Sequence, residues 1–122
     1  MHQMLNVVTN KKDIPDAVLI RALEPLEGID IMLSRTGKAQ LDYTLTKGPG
    51  NVAKALGIFK KHSGVNLRVS EICIVVDKNY KLVEVDIVST KRIGIDSAGA
   101  DALLPYRFFL KGSKFVSGKK SQ

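Results

Sequence analysis

Residues 17–28, AVLIRALEPLEG, place the tightest constraint on how this chain folds. Val18, Leu19 and Ile20 form an apolar run that ends in Arg21. Glu24 and Glu27 follow, spaced around Pro25, and Gly28 closes the segment. A short apolar run of this kind reads as a strand buried on both faces. Arginine at the end of such a strand is costly to bury, because its charge cannot be neutralised. It needs a carboxylate, a phosphate or another strong acceptor. Either Glu24 or Glu27 pairs with it and holds the fold together, or it faces a ligand. The segment alone leaves both open.

The chain has 122 residues, 44% of them hydrophobic, enough for one compact domain with a core. Lys and Arg number 19 against 12 acids, giving a formal charge of +7 and a pI near 9.6. The cations are spread along the sequence, so no block reads as a targeting signal or a disordered basic arm. A positive field of this size suits polyanions, most simply nucleic acid, or serves solubility alone. Cys73 is the one cysteine and lies in the apolar run 72–76. It cannot form an internal disulfide and is expected to pack as a small hydrophobe, which suits a reducing, intracellular compartment. No stretch is long and apolar enough to span a bilayer, and the N-terminal residues do not read as a signal peptide.

Residues 4–8 read as a first strand, 10–15 as a polar turn and 17–23 as a second strand. Pro25 is expected to open a short helix with Leu26, Ile29 and Leu33 on one face and Gly37 as its stop. The turn Lys47-Gly48-Pro49-Gly50 feeds a second helix, where Val52, Ala55, Leu56 and Phe59 share a face. Residues 71–76 are strand-like, 77–81 form a turn, and Val83, Val85 and Ile87 alternate with Glu84, Asp86 and Val88 as a half-exposed strand. Residues 92–95 read as a tight strand-like element with Gly94 allowing close backbone approach. Tyr106, Phe108 and Leu110 alternate along a last strand. The class is α+β. The given sequence opens within its first strand. The expectation is a neighbouring segment on that edge, or self-association through it.

Few residues carry visible chemistry. Glu24 and Glu27 suit the positive end of a helix dipole better than an acid/base pair. His2 and His62 are far apart, and no spacing of Cys, His or Asp resembles a metal site. The turn at 47–50 lacks a GK[ST] ending, and Pro49 removes an amide that a phosphate loop needs. The helix start behind it is either an ordinary turn or a contact for a DNA phosphate.

Five segments, in order, resemble the alkyladenine (3-methyladenine) DNA glycosylase family. They are MLNVVT (4–9), RALEPLEG (21–28), GPGNVAKALGI (48–58), KRIGIDSAG (91–99) and LPYRFFLKGSKFVSG (104–118). The resemblance implies a single partial glycosylase-like domain over residues 1–122. It is expected to hold a mostly antiparallel, strongly curved sheet with a few short helices. It also implies the family's reaction. A damaged purine is flipped out of duplex DNA, and water cuts its bond to the sugar, with no metal, cofactor or lysine lyase step.

By motif, Asn6 matches the asparagine that lies against the flipped base and discourages the guanine amino group. Arg21 matches the arginine that helps place the water and the nucleotide. Ile93 matches the residue whose backbone carbonyl holds that water. His2 stands where the family has an aromatic against the base. Lys47, Gly48, Lys54, Lys91 and Arg92 are the expected phosphate contacts. Asn51 replaces a common lysine, and Tyr106 stands where Trp or Leu is usual. The family's catalytic glutamate, stacking aromatics and wedge tyrosine lie upstream of the asparagine strand, and no carboxylate here matches that glutamate. The resemblance therefore implies a purine-excising DNA repair hydrolase of the cytoplasm or nucleoid, acting on double-stranded DNA. The alternatives are a non-catalytic DNA-binding remnant of the family and a basic RNA-associated domain.

Overall fold

The computed structural model describes residues 3–81 and 86–118. Strand β1 (Asn6–Val8) pairs antiparallel with β2 (Ala17–Leu19), in the register Asn6 to Leu19 and Val8 to Ala17. Helices α1 (Ile29–Thr36) and α2 (Pro49–Leu56) follow. Strand β3 (Ile87–Thr90) pairs antiparallel with β4 (Arg107–Leu110). Short 3₁₀ helices cover Lys60–His62 and Asp96–Leu103. The class is α+β, with two separate two-stranded sheets. The single strongly curved sheet expected from the resemblance is not found among the described residues. The chain divides into two compact units. One comprises Met1–Ile58 with Gly112–Gln122, the other Phe59–Lys111.

In the first unit, β2 is shorter than the expected 17–23 because the chain changes partner. Ile20 N–H still donates to Leu5 C=O at 3.0 Å, but Ala22 bridges to Lys47, and Leu23 N–H donates to Thr46 C=O at 3.1 Å. Nor is the run buried on both faces, since Val18 is 51% exposed. Helix α1 starts at Ile29, not Pro25. Gly28 sits in the left-handed region at φ 72°, which a right-handed helix cannot contain, so Leu26 stays outside it and exposed. Asp30 in the first turn and Arg35 in the last complement the helix dipole, and Gly37 ends the helix in a left-handed cap.

Helix α2 has Pro49 at its first position, where the missing N–H costs nothing. It ends at Gly57, with Ile58 N–H returning to Ala53 C=O at 2.9 Å. That stop leaves Phe59 exposed instead of on the inward face. The Arg35 guanidinium crosses from α1 and donates to Ala55 C=O at 3.0 Å. It places a cation on the negative end of α2. Leu45, Val52, Ala53, Ala55, Ile58 and Val116 are the buried hydrophobic residues. All of them belong to this unit.

In the second unit, residues 71–76 form no strand, and Cys73 is exposed, not packed as a hydrophobe. Strand propensity needs a partner to become a strand. Of the strand expected over 83–88, residues 83–85 lie outside the described residues, and the strand observed covers Ile87–Thr90. The expected turn is present, with Tyr80 N–H donating to Asp77 C=O at 3.2 Å. Residues 92–95 bend at Gly94 (φ 72°) and form no strand. His62 Nδ1 accepts from Phe59 N–H at 2.9 Å, and Nε2 meets Glu71 Oε1 at 2.8 Å. His62 thus ties the first 3₁₀ turn to residue 71.

Candidate functional site

The β1–β2 register fixes Asn6 but stops short of Arg21. Directly opposed residues on antiparallel strands point to one face, and residues two apart on a strand share a face. Asn6 opposes Leu19, and Arg21 lies two residues beyond it. That is past the end of β2, where the Arg21 C=O pairs with Gly48 N–H, so the hairpin register brings Asn6 and Arg21 close in the chain pairing without putting their side chains on one face. The Asn6 side chain is exposed, while Arg21 is half-buried.

Arg21 is held from two directions. Its C=O accepts from Gly48 N–H at 2.8 Å, which fixes the backbone against the start of α2. Its Nε–H donates to Ser117 Oγ at 3.3 Å. Among the described residues no carboxylate lies within ion-pair distance of Arg21. Glu24 and Glu27 are both exposed, so the structural pair left open by the sequence is not formed.

The segment ahead of α2 is locked to residue 23 by a buried hydroxyl. Thr46 is 1% exposed, and its Oγ1 donates to Leu23 C=O. Asn51 Nδ2 donates to Thr44 C=O at 3.2 Å and Lys47 C=O at 3.0 Å, so this amide gathers the turn ahead of α2. The Asp42 carboxylate accepts from the Thr44 hydroxyl and, at 2.8 Å, from Thr44 N–H. The Thr44 hydroxyl first, then its N–H and the Lys38 charge, hold the Asp42 pKa below its ordinary value. Sequence reasoning missed the roles of Thr46, Asn51 and Asp42. The signal available was Asp42 two residues ahead of Thr44, a side chain-to-backbone turn pattern.

The expected phosphate contacts fare unequally. Lys54 is exposed on α2, and Lys47 is half-buried. The Gly48 amide is occupied by the Arg21 carbonyl, so it does not face a ligand. Ile93, Lys91 and Arg92 belong to the second unit. Lys91 is exposed and Ile93 half-buried. Arg92 turns inward. It donates to Asp101 C=O at 3.2 Å and lies 5.9 Å over the Tyr106 ring, with Nε buried and unpartnered. His2 lies outside the described residues. Among the described residues no group of three His, Cys, Asp or Glu could hold a metal ion, and no helix is long and apolar enough to cross a membrane.

The sequence profile of one family, described as methylpurine-DNA glycosylase, matches residues 1–114. The chain belongs to this family. It is 44% identical to a protein of Clostridium novyi over 98% of its own length and 61% of the relative's. It is 43% identical to one of Francisella tularensis and 46% to one of Carboxydothermus hydrogenoformans, each over 98% of this chain and 60% of the relative. All three relatives are provisionally named 3-methyladenine DNA glycosylase. The chain thus spans about 60% of the length of these curated relatives. Within the glycosylase family match fall Asn6, Arg21, Lys47, Lys54 and Ile93, so every described candidate residue lies inside the matched range.

Proposed function

We propose that this chain takes part in DNA repair by excision of alkylated or deaminated purines, through hydrolysis of the bond between base and sugar after the nucleotide is flipped from the duplex. The observation that carries the reading is family membership over residues 1–114, together with an Arg21 that is half-buried and has no carboxylate at ion-pair distance among the described residues. An exposed amide at Asn6 and a half-buried guanidinium at Arg21 suit an everted nucleotide. The amide reads the base edge by hydrogen bonds. The guanidinium, with no internal counter-ion among the described residues, takes a phosphate or orients a water. In the second unit, the backbone carbonyl of Ile93 is assigned by motif alone to a water contact. Lys54 and Lys91, both exposed, supply phosphate contacts, and Lys47 contributes at the edge of the same turn. Such a protein works where DNA is, in the cytoplasm or, in a bacterium, at the nucleoid.

One observation favours a second reading for this polypeptide by itself. Water attack on a glycosidic carbon is assisted by a general base, which contributes roughly a hundredfold to ten-thousandfold. No carboxylate among the described residues stands beside Arg21. On that reading the chain holds damaged duplex without releasing the base. One experiment separates the two. The chain is incubated with duplex carrying a single alkylated purine, and both bound duplex and free base are measured. Binding with release supports excision, and binding without release supports the second reading. Absence of any preference for damaged over intact duplex sinks both.

A further inference from the structure

Arg21 is bonded differently from the other arginines that have internal partners. Arg35 and Arg92 donate from an Nη group to a backbone carbonyl, and Arg107 donates from Nη1 to the Thr90 hydroxyl. Arg21 donates from Nε, to Ser117 Oγ at 3.3 Å, and its two Nη groups make no hydrogen bond or ion pair among the described residues. Nor are they sealed from solvent. Among the described residues the buried side-chain nitrogen without a partner is Arg92 Nε, not one of Arg21's.

The hydroxyl that receives Nε–H is built into the first unit. Ser117 is 8% exposed and follows Val116, one of the buried hydrophobic residues. Phe115 meets Tyr43 edge to face, with ring centroids 5.1 Å apart. Val116 and Phe115 already hold this segment down, so the bond from Arg21, 96 residues away in sequence, is not needed for that purpose. The Arg21 backbone is fixed separately, through its C=O and Gly48 N–H. The residue is thus held at its main chain by the start of α2 and at its head by residue 117.

The choice of a hydroxyl has a chemical consequence. A guanidinium is a planar fork of N–H donors, and a bond at Nε fixes the plane while leaving the Nη edge for an oxyanion. A carboxylate at the same place would engage the fork and offset the charge that attracts an anion. A hydroxyl orients the cation and leaves its charge intact. Holding the head in place beforehand also removes rotamer freedom that a ligand would otherwise have to freeze.

We infer that Ser117 is a positioning residue for Arg21, its hydroxyl holding the guanidinium by Nε so that the Nη edge is presented to an everted nucleotide. The inference rests on the function proposed above and adds to it the residue that aims the arginine.

The test compares Ser117→Ala, which removes the acceptor, Ser117→Cys, which keeps the shape with a weak acceptor, and Ser117→Thr, which restores a hydroxyl. Circular dichroism checks that each is folded. The first readout is the NMR resonance of Arg21 Nε–H, assigned by its loss in Arg21→Ala. Its exchange with water is expected to quicken in the Ala and Cys variants and to slow again in Thr. The second is the ratio of affinities for duplex with and without one alkylated purine, at fixed salt. Ser117→Ala is expected to lower that ratio roughly threefold to tenfold, the range one hydrogen bond supplies, Ser117→Thr to recover it, and Ser117→Ala to change nothing further in an Arg21→Ala background. The ratio is the informative quantity, because a serine with only a structural role weakens both duplexes alike. Nε–H exchange indifferent to Ser117→Ala, or a ratio that falls as much without Arg21 as with it, overturns the inference alone. A wild type with no preference for the damaged duplex overturns the proposed function and the inference with it.

Discussion

Thr46→Val removes one oxygen from the centre of the first unit and nothing else. Thr46 is 1% exposed, and its hydroxyl donates to Leu23 C=O, two residues past the site arginine. Valine matches the volume, so no cavity opens. The loss of a hydrogen bond is worth about 1 kcal/mol, and a buried carbonyl left without its donor raises the cost to about 1–3 kcal/mol. For a domain of this size that lowers the melting temperature by roughly 4–12 °C. Thr46→Ser keeps the hydroxyl and loses a methyl group, which costs about 1 kcal/mol. Thermal and denaturant unfolding of the three proteins measures these differences. The expected order of stability is wild type, then Ser, then Val. If Val equals wild type, or exceeds Ser, the hydroxyl does not pin residue 23, and the account of how residues 21–23 are held against 46–48 is wrong.

Three other perturbations bear on the same unit. Gly57→Ala places a Cβ 2.7 Å from Arg35 Cζ and forces alanine to φ 67°. The backbone part costs about 1–2 kcal/mol and persists in an Arg35→Ala background, while the displaced-guanidinium part vanishes there. An equal cost in both backgrounds, by denaturant unfolding, refutes the contact. Asp42 titrates below its ordinary 3.8 because it accepts two hydrogen bonds from Thr44. A carboxyl with a lowered folded pKa stabilises above its unfolded value and loses that stabilisation as pH falls through the folded one. NMR titration is expected to show an Asp42 midpoint below 3.8 that moves up in Thr44→Ala, and a midpoint unchanged by that substitution contradicts it. Arg21→Ala forfeits a single 3.3 Å bond to Ser117, so its unfolding free energy is expected to fall by less than about 1 kcal/mol. A large loss of stability in the melt would reveal a structural ion pair and remove Arg21 from the candidate site.

Local chemistry made part of this structure legible from sequence. The polar stretch 10–15 between apolar runs gave the first hairpin, and Gly48-Pro49-Gly50 gave the start of α2. Gly37 stops α1 where expected. The misses share a cause, which is that pattern does not report what an element packs against. Residues 21–23 looked like more of β2, yet they pair with residues 46–48. Phe59 fitted the helical spacing of α2, but the left-handed Gly57 ends the helix first. The alternation at 106, 108 and 110 was readable, but nothing in it said that Arg107 would take the inward side. At the site, Arg21 was conspicuous because a cation ends an apolar run. Thr46 and Asn51 were not, because their roles come from hydrogen bonds to carbonyls distant in the fold.

The most direct test compares the affinity of wild type, Asn6→Ala and Arg21→Ala for two duplexes that differ by one alkylated purine, at fixed salt and again at higher salt. If the amide and guanidinium together receive an everted base, wild type prefers the damaged duplex, both variants lose most of that preference, and all three weaken alike as salt rises. If the two duplexes bind equally well, or the preference survives both substitutions, Asn6 and Arg21 do not receive the base.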